Sequence, residues 1–133
     1  MNTHPVADKA SLSGIRKLIR SDFNRAGIDP SLGFDCLVAI TEACTNALVH
    51  GSFDQELPPR IAWDIDPEGA RFYVQDFAAR PSSSRTMHPS RTVPDAEAHY
   101  GGFGVDLMRG LMDEVEIDVG PNGTTVSLLK RFR

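Results

Sequence analysis

The chain is poor in cysteine and in bulky aromatic residues. Its 133 residues include two cysteines, one tryptophan and two tyrosines. Cys36 and Cys44 fall in one predicted helix, about 12 Å apart at a rise of 1.5 Å per residue, which is too far for a disulfide. Neither belongs to a CxxC pair or a cysteine and histidine pattern, so zinc is not expected. We expect both to be small buried apolar residues.

A long hydrophobic run is also missing. No apolar stretch approaches the roughly 18 residues of a membrane span, and residues 1–10 lack the basic start and apolar middle of a signal peptide. The net charge is −4, whereas binding to phosphate backbones usually needs a basic face. The clearest basic cluster, Lys130, Arg131 and Arg133, is interpreted as a solubilising tail. We therefore predict a cytoplasmic protein with no membrane partner and no direct nucleic-acid partner.

What remains is the length and composition of one globular domain. The apolar fraction is 41% and the charged fraction 24%, and both are ordinary values for a soluble protein. The length allows one core and leaves no room for a second domain. We expect a single domain over residues 1–133.

Two helices are predicted in the first part of the chain. Apolar residues recur at helical spacing from Leu12 to Ala26, with Ser11 as the expected N-cap and Gly27 as the stop. The second helix is expected from Pro30 to Gly51 and is apolar nearly all round, so it should be buried.

Alternating apolar residues predict four strands, near residues 61–65, 72–76, 115–119 and 126–128. Residues 1–10 contain little that indicates a strand. Residues 77–100 are rich in proline, serine and arginine without a period, which is typical of a lid. With a short third helix after this lid, the order favours an α+β two-layer sandwich, with helices on one face of a mixed, mostly antiparallel sheet.

Two polar side chains interrupt the second helix. Glu42 and Asn46 are one turn apart and project from the same face. A carboxylate and a carboxamide can orient a hydroxyl and bind a hard cation such as Mg²⁺, which in turn binds nucleotide phosphates. Taken alone, the pair is explained better as a satisfied polar stripe on a helix.

Glycines and one acid give two further weak signals. Gly101, Gly102 and Gly104 precede or begin the third helix, where uncovered backbone N–H groups attract phosphate. Glycine also punctuates ordinary loops. Asp76 ends a strand on its apolar side, where a carboxylate can accept a hydrogen bond from an adenine amino group or simply form a turn.

Four segments in order give a specific resemblance. They are ITEACTNALVHG at 40–51, VQDFA at 74–78, GGFGVDLMRGLMDEVEI at 101–117 and NGTTVSL at 122–128. They resemble the successive boxes of the GHKL ATPase superfamily. Within it the chain is similar to the anti-sigma-factor serine kinases, the bacterial switch kinases that control stress and sporulation sigma factors. The similarity extends from about Ser11 to the end.

The resemblance implies a Bergerat-type fold, as in histidine-kinase ATPase domains, that binds ATP and Mg²⁺. Asn46 would ligate Mg²⁺, and Glu42 would be the general base for an attacking serine hydroxyl. The enzyme would be a protein serine/threonine kinase. A detached histidine-kinase domain fits less well, because the chain carries no dimerisation helices with a phosphoacceptor histidine.

The remaining nucleotide contacts are also implied by the resemblance. Asp76 would contact adenine, Thr124 would support the adenine end, and Gly102 and Gly104 would line the phosphates beneath the lid. The chain departs from the family at Ala78, where a glycine usually lets the backbone approach the base. This departure indicates weaker nucleotide binding.

The resemblance further implies protein partners. The kinase would phosphorylate a STAS-domain anti-anti-sigma protein and sequester a sigma factor by partner switching. A homodimer is compatible with it. The first helix, with Arg16, Lys17 and Arg20 expected on its exposed side, corresponds to a region where such proteins meet partners, although these charges are explained equally by solubility. The alternative is a non-catalytic nucleotide-binding module that acts by partner binding alone.

Overall fold

The computed structural model describes residues 2–51, 57–77 and 103–132. In chain order its elements are β1 (Asn2–Pro5), α1 (Lys9–Ala26), α2 (Pro30–Gly51), β2 (Arg60–Asp66), β3 (Gly69–Asp76), α3 (Phe103–Leu111), β4 (Glu114–Gly120) and β5 (Gly123–Arg131). Apart from Phe77, the predicted lid lies outside the described residues.

The five strands form one sheet in the order β1-β2-β3-β5-β4, and every described pairing is antiparallel. Alternate side chains of each strand point to opposite faces of the sheet. The helices cover one of these faces, so the sheet is buried on that side only. Phe72, Val74, Val126 and Leu128 lie on the buried side, beneath the helices. The predicted α+β two-layer sandwich is confirmed.

The first helix begins earlier than predicted. Asp8, and not Ser11, is the N-cap: its carboxylate accepts hydrogen bonds from the backbone N–H of Ser11 at 2.8 Å and from the Ser11 hydroxyl at 2.9 Å. These bonds lower the pKa of Asp8. The first turn carries Lys9 and Ala10, which extend no apolar period, so hydrophobic spacing could not locate it. Gly27 ends the helix with φ 68°, as predicted.

A strand precedes α1, contrary to the sequence prediction. β1 pairs with β2 at the edge of the sheet. His4 stacks on Trp63 with ring centroids 4.7 Å apart. The Trp63 indole N–H donates to the Asp22 carboxylate of α1 at 2.8 Å, and the buried Val6 donates its backbone N–H to the carbonyl of Pro59 at 2.6 Å. Contacts with residues distant in sequence therefore stabilise β1, and the strand has no alternation of apolar and polar residues of its own.

The second helix is the core of the helical layer. Its fully buried residues are Cys36, Ala39, Ile40, Ala43, Cys44 and Ala47. Phe34 and Val49 are each 65% exposed, so the expectation of burial all round is wrong at these two positions. The reason is that α2 has neighbours on three sides, namely α1, α3 and the sheet.

By length and composition alone, α2 could cross a membrane, since residues 30–49 have a mean hydropathy of 1.4. The sequence prediction considered only uninterrupted apolar runs. A mean hydropathy tolerates a few polar residues, so α2 meets this second criterion and not the first. Half of the stretch is buried inside the protein. A core helix passes the same test, and the contacts of α2 with two helices and the sheet are those of a core helix.

The two cysteines are free and buried, as predicted. Burial raises the pKa of both the Cys36 and the Cys44 thiol to about 12. Because the thiolate is the reactive form, both side chains are expected to behave as small apolar residues at neutral pH.

The turn between β4 and β5 requires glycine at its second end. Gly123 has φ 143°, and a Cβ there would lie 2.1 Å from the backbone oxygen of Asp76. Gly123→Ala is therefore expected to lower the free energy of unfolding by about 3 kcal/mol, since backbone strain and overpacking each cost about 1–3 kcal/mol. Urea denaturation measures the loss.

Gly120→Ala is the matched control in the same turn. A Cβ at Gly120 would lie 3.6 Å from the Gly123 oxygen, which is an ordinary van der Waals contact. Equal losses of stability in the two variants would contradict the close approach of Gly123 to Asp76.

Candidate functional site

The predicted pair on α2 faces the first turn of α3. Glu42 and Asn46 are both partly buried, and Gly104 is buried beside them. A Cβ added to Gly104 would lie 3.0 Å from Glu42 Oε2 and 3.1 Å from Asn46 Nδ2. The structure thus brings together three of the residues that the sequence singled out, although they come from two segments far apart in the chain.

The absence of a side chain at Gly104 permits this contact. On α2, Ala39 shares the face of Glu42 and Asn46 and is fully buried, and α2 packs against α3. Val105 and Met108 of α3 are buried in the core. The start of α3 is therefore fixed against the carboxylate and the amide by packing.

The side-chain nitrogen of Asn46 is buried and has no hydrogen-bond partner in the part of the chain that the structure describes. An unsatisfied buried amide group costs about 1–3 kcal/mol. Most buried polar groups are paired, so an unpaired one needs an explanation. A bound ligand would supply the missing acceptor at this position.

The same two side chains fit a hard cation by their chemistry. The carboxylate of Glu42 and the amide oxygen of Asn46 are the kind of ligand that Mg²⁺ takes. Within the described ranges, no group of three or more His, Cys, Asp or Glu side chains could hold a metal. Mg²⁺ in nucleotide sites usually has only one or two protein ligands and completes its shell with phosphates and water.

A second polar pair lies within the sheet. Asp76 ends β3, Thr124 lies opposite it on β5, and each is 1% exposed. The backbone N–H of Thr124 donates to Asp76 Oδ1 at 3.3 Å. Both residues share the helix-facing side with Val74 and Val126, as strand alternation predicted for Asp76. A carboxylate is thus held at the end of an apolar face.

Several predicted site features lie outside the described residues. These are Gly101 and Gly102, Ala78, and residues 78–100 of the lid. Their proposed contacts with phosphate and base stay predictions.

One residue that the sequence analysis assigned to a solubilising tail has a structural role. Lys130 has a side chain only 12% exposed and forms an ion pair with Asp35 at 3.3 Å. The solubilising interpretation is therefore wrong for Lys130. Strand alternation predicts the burial of the Lys130 side chain, because Lys130 lies on the same side of β5 as the buried Val126 and Leu128.

The exposed side of α1 also differs in part from the prediction. Lys17 and Arg20 are exposed, whereas Arg16 is partly buried. The Nε atom of Arg16 is buried without a hydrogen-bond partner among the described residues. Its position at the margin of the buried face explains the difference.

Residues 6–130 match the family described as the histidine kinase-like ATPase domain. The chain belongs to this family. Membership of a family of ATPase domains implies a nucleotide-binding fold, and the resemblance to the GHKL superfamily is confirmed.

Curated relatives of this ATPase domain are serine kinases and anti-sigma factors by name. Serine-protein kinase RsbW of Bacillus velezensis is 31% identical over 72% of this chain and 62% of that protein. For serine-protein kinase RsbW of Bacillus licheniformis the identity is 30%, over 79% of this chain and 72% of that protein. The anti-sigma F factor of Clostridium beijerinckii is 31% identical over 80% of this chain and 78% of that protein. The chain thus spans less than two thirds of the first relative.

Solved structures support the fold of the ATPase domain. The crystal structure of the RsbU and RsbW domains of a Mycobacterium tuberculosis protein matches 98% of this chain and 31% of that chain with a TM-score of 0.70 at 20% identity. The SiaB-SiaC complex from Pseudomonas aeruginosa matches 98% of this chain and 89% of that chain with a TM-score of 0.62 at 12% identity. At these identities the likeness concerns the fold alone.

Proposed function

We propose that the protein is an ATP-dependent serine kinase that phosphorylates a STAS-type anti-anti-sigma protein and sequesters a sigma factor by partner switching. The contact of Glu42 and Asn46 with Gly104 at the start of α3 carries this proposal. The names of the relatives, serine-protein kinase and anti-sigma F factor, support the reaction and the class of partner.

Bound Mg·ATP supplies the phosphoryl group and neutralises charge on its phosphates. Asn46 would ligate Mg²⁺ through its amide oxygen, and its buried Nδ2 would donate to the ligand. The first turn of α3, including Gly104, presents backbone N–H groups and the positive end of the helix dipole to the phosphates. Gly102 would extend this surface.

Glu42 acts on the protein substrate. Its carboxylate accepts the proton of the attacking serine hydroxyl while the serine oxygen bonds to the γ-phosphorus and the bond to ADP breaks. The phosphorylated antagonist then carries about two more negative charges, which weaken its binding and leave the kinase surface to the sigma factor.

Binding and transfer separate this proposal from its main alternative. Calorimetry with ATP is expected to show binding, and incubation with Mg·ATP and a STAS-domain protein encoded beside the kinase is expected to yield phosphoserine. Absence of ATP binding would overturn the proposed kinase activity. Binding without transfer to a verified partner would favour a non-catalytic nucleotide-binding module, which Ala78 in the second box supports.

The cytoplasmic location and a homodimer are further predictions, the latter testable by light scattering.

The preference for adenine over guanine should depend on Asp76. Its carboxylate accepts a hydrogen bond from the adenine amino group, whereas guanine places an oxygen there. We expect Asp76→Asn to lower the preference for ATP over GTP by about tenfold or more, because a hydrogen bond to a charged group is worth about 1.5–3 kcal/mol. Calorimetry with both nucleotides measures the ratio.

Asp118→Asn is the control for this variant, because Asp118 is exposed on β4, which β5 separates from the strand of Asp76. An unchanged ATP to GTP ratio in Asp76→Asn would show that Asp76 does not read the base.

A further inference from the structure

Lys130 lies at the junction of three elements. It belongs to β5 and points into the helix-facing side of the sheet. Its ammonium donates to the backbone oxygen of Leu111, the last residue of α3, at 2.5 Å and to the carboxylate of Asp35 on α2 at 3.3 Å. One side chain therefore connects the sheet, the end of α3 and the beginning of α2.

This connection lies at one end of the contact between α2 and α3, and the candidate site lies at the other. Asp35 and Glu42 are seven residues apart on one face of α2, and Leu111 and Gly104 are seven residues apart on α3. Each separation corresponds to about 10 Å of helix. The two helices therefore run antiparallel, with Lys130 at one end and the Glu42 and Gly104 contact at the other.

The chemistry of this contact suits a cation. The last carbonyl groups of a helix carry partial negative charge, so an ammonium at Leu111 is favourable. The Lys130 side chain is mostly buried, with 12% exposed. The Asp35 side chain is 33% exposed, so water and salt screen the pair in part, but less than they screen a pair with both partners at the surface.

The attachment of α3 to the sheet does not depend on Lys130 alone. The backbone N–H of Asp113 donates to the carbonyl of Leu129 at 2.8 Å, and the backbone N–H of Arg131 donates to the Asp113 carboxylate at 2.5 Å. What Lys130 adds is the link from this anchored end of α3 to α2. Its removal should loosen the two helices without detaching α3.

We propose that Lys130 is a positioning residue for the nucleotide site. It holds α2 and α3 at the spacing that places Gly104 against Glu42 and Asn46, and it acts through Asp35 and Leu111 without touching the nucleotide. The consequence for ligand binding rests on the proposed function. Loss of Lys130 then weakens contacts to the phosphates and leaves those to adenine, at Asp76 and Thr124, unchanged.

The test compares ATP with adenosine in Lys130→Met, which keeps the length of the side chain and removes its charge. The dissociation constant of ATP is expected to rise about tenfold, equivalent to about 1.4 kcal/mol, while that of adenosine stays the same. Lys130→Arg should restore most of the ATP affinity, because the cation returns. A general loss of stability would not shift the ratio of the two constants in this way.

Arg131→Met is the matched control on the same strand. Arg131 is 53% exposed at its side chain and pairs with Glu114 on the opposite face of the sheet. The ratio of the ATP and adenosine constants should not change in this variant. A rise in the ratio of the ATP to the adenosine constant as large as that in Lys130→Met would overturn the proposal.

A second measurement needs no nucleotide. Amide hydrogen exchange of residues 107–111, whose N–H groups are bonded within α3, should be faster in Lys130→Met than in the wild type, with exchange in β2 and β3 unchanged. If the wild-type protein binds neither ATP nor adenosine, the proposed kinase function fails and hydrogen exchange alone decides on Lys130. Unchanged exchange in α3 would overturn the positioning role. If Lys130→Met does not fold, Asp35→Asn, which keeps the bond to Leu111, carries the same comparisons.

Discussion

Glu42→Gln is expected to slow phosphoryl transfer to the serine of a STAS-domain protein by about 10²–10⁴-fold, the usual contribution of a positioned general base. The glutamine keeps the size of the side chain beside Gly104 but accepts no proton at neutral pH. ATP affinity should change far less than the rate. Single-turnover transfer of labelled phosphate at saturating ATP measures the effect.

Glu116→Gln provides the comparison for this variant, because Glu116 is exposed on β4 and faces away from the helices. It should transfer phosphate at the wild-type rate. An undiminished rate in Glu42→Gln would remove Glu42 from the chemistry. A loss of ATP binding in place of a loss of rate would make Glu42 a ligand-binding residue only.

Gly104→Ala is expected to reduce phosphoryl transfer by about tenfold or more. The new Cβ would lie 3.0 Å from Glu42 Oε2 and 3.1 Å from Asn46 Nδ2, so both side chains must move by a few tenths of an ångström. Because a misplacement of about 1 Å can cost about 10²-fold in rate, this smaller shift should be clearly measurable. Transfer rates and ATP affinity are measured together with the thermal midpoint.

Gly110→Ala is the matched substitution in the same helix. A Cβ at Gly110 meets nothing within 4 Å, and replacing glycine by alanine inside a helix stabilises it by up to about 1 kcal/mol. Gly110→Ala should therefore leave transfer intact and raise the thermal midpoint slightly. Equal transfer rates in the two alanine variants would show that the space at Gly104 is not needed.

The parts of the site within regular elements could be predicted from sequence. Glu42 and Asn46 share a helical face because they are four residues apart, and Asp76 shares the side of Phe72 and Val74 because strand alternation has a period of two. Neither rule says which helix faces the pair. The contact with Gly104 needed the packing of α3 against α2, a long-range fact that the family resemblance anticipated and local periodicity did not.

The predictions that failed have a common cause. β1 is four residues long and is formed by its contacts with β2, so it has no pattern of its own. The N-cap at Asp8 precedes any apolar residue of the helix. Lys130 carries the same charge as the other residues of the predicted tail, and only its parity on β5 indicates that it is buried. In each case, the deciding partner lies elsewhere in the chain or outside the apolar pattern.

The stacking of His4 on Trp63 also gives the protein an intrinsic fluorescent probe. Trp63 is the single tryptophan of the chain, and its emission depends on the aromatic neighbour and on the hydrogen bond of its indole to α1. Its register partner Phe72 lies four residues, about 13 Å, from Asp76 along β3. Intrinsic fluorescence should therefore follow release of the edge strand during unfolding and stay silent when ligand enters, so the two events can be separated in one unlabelled sample.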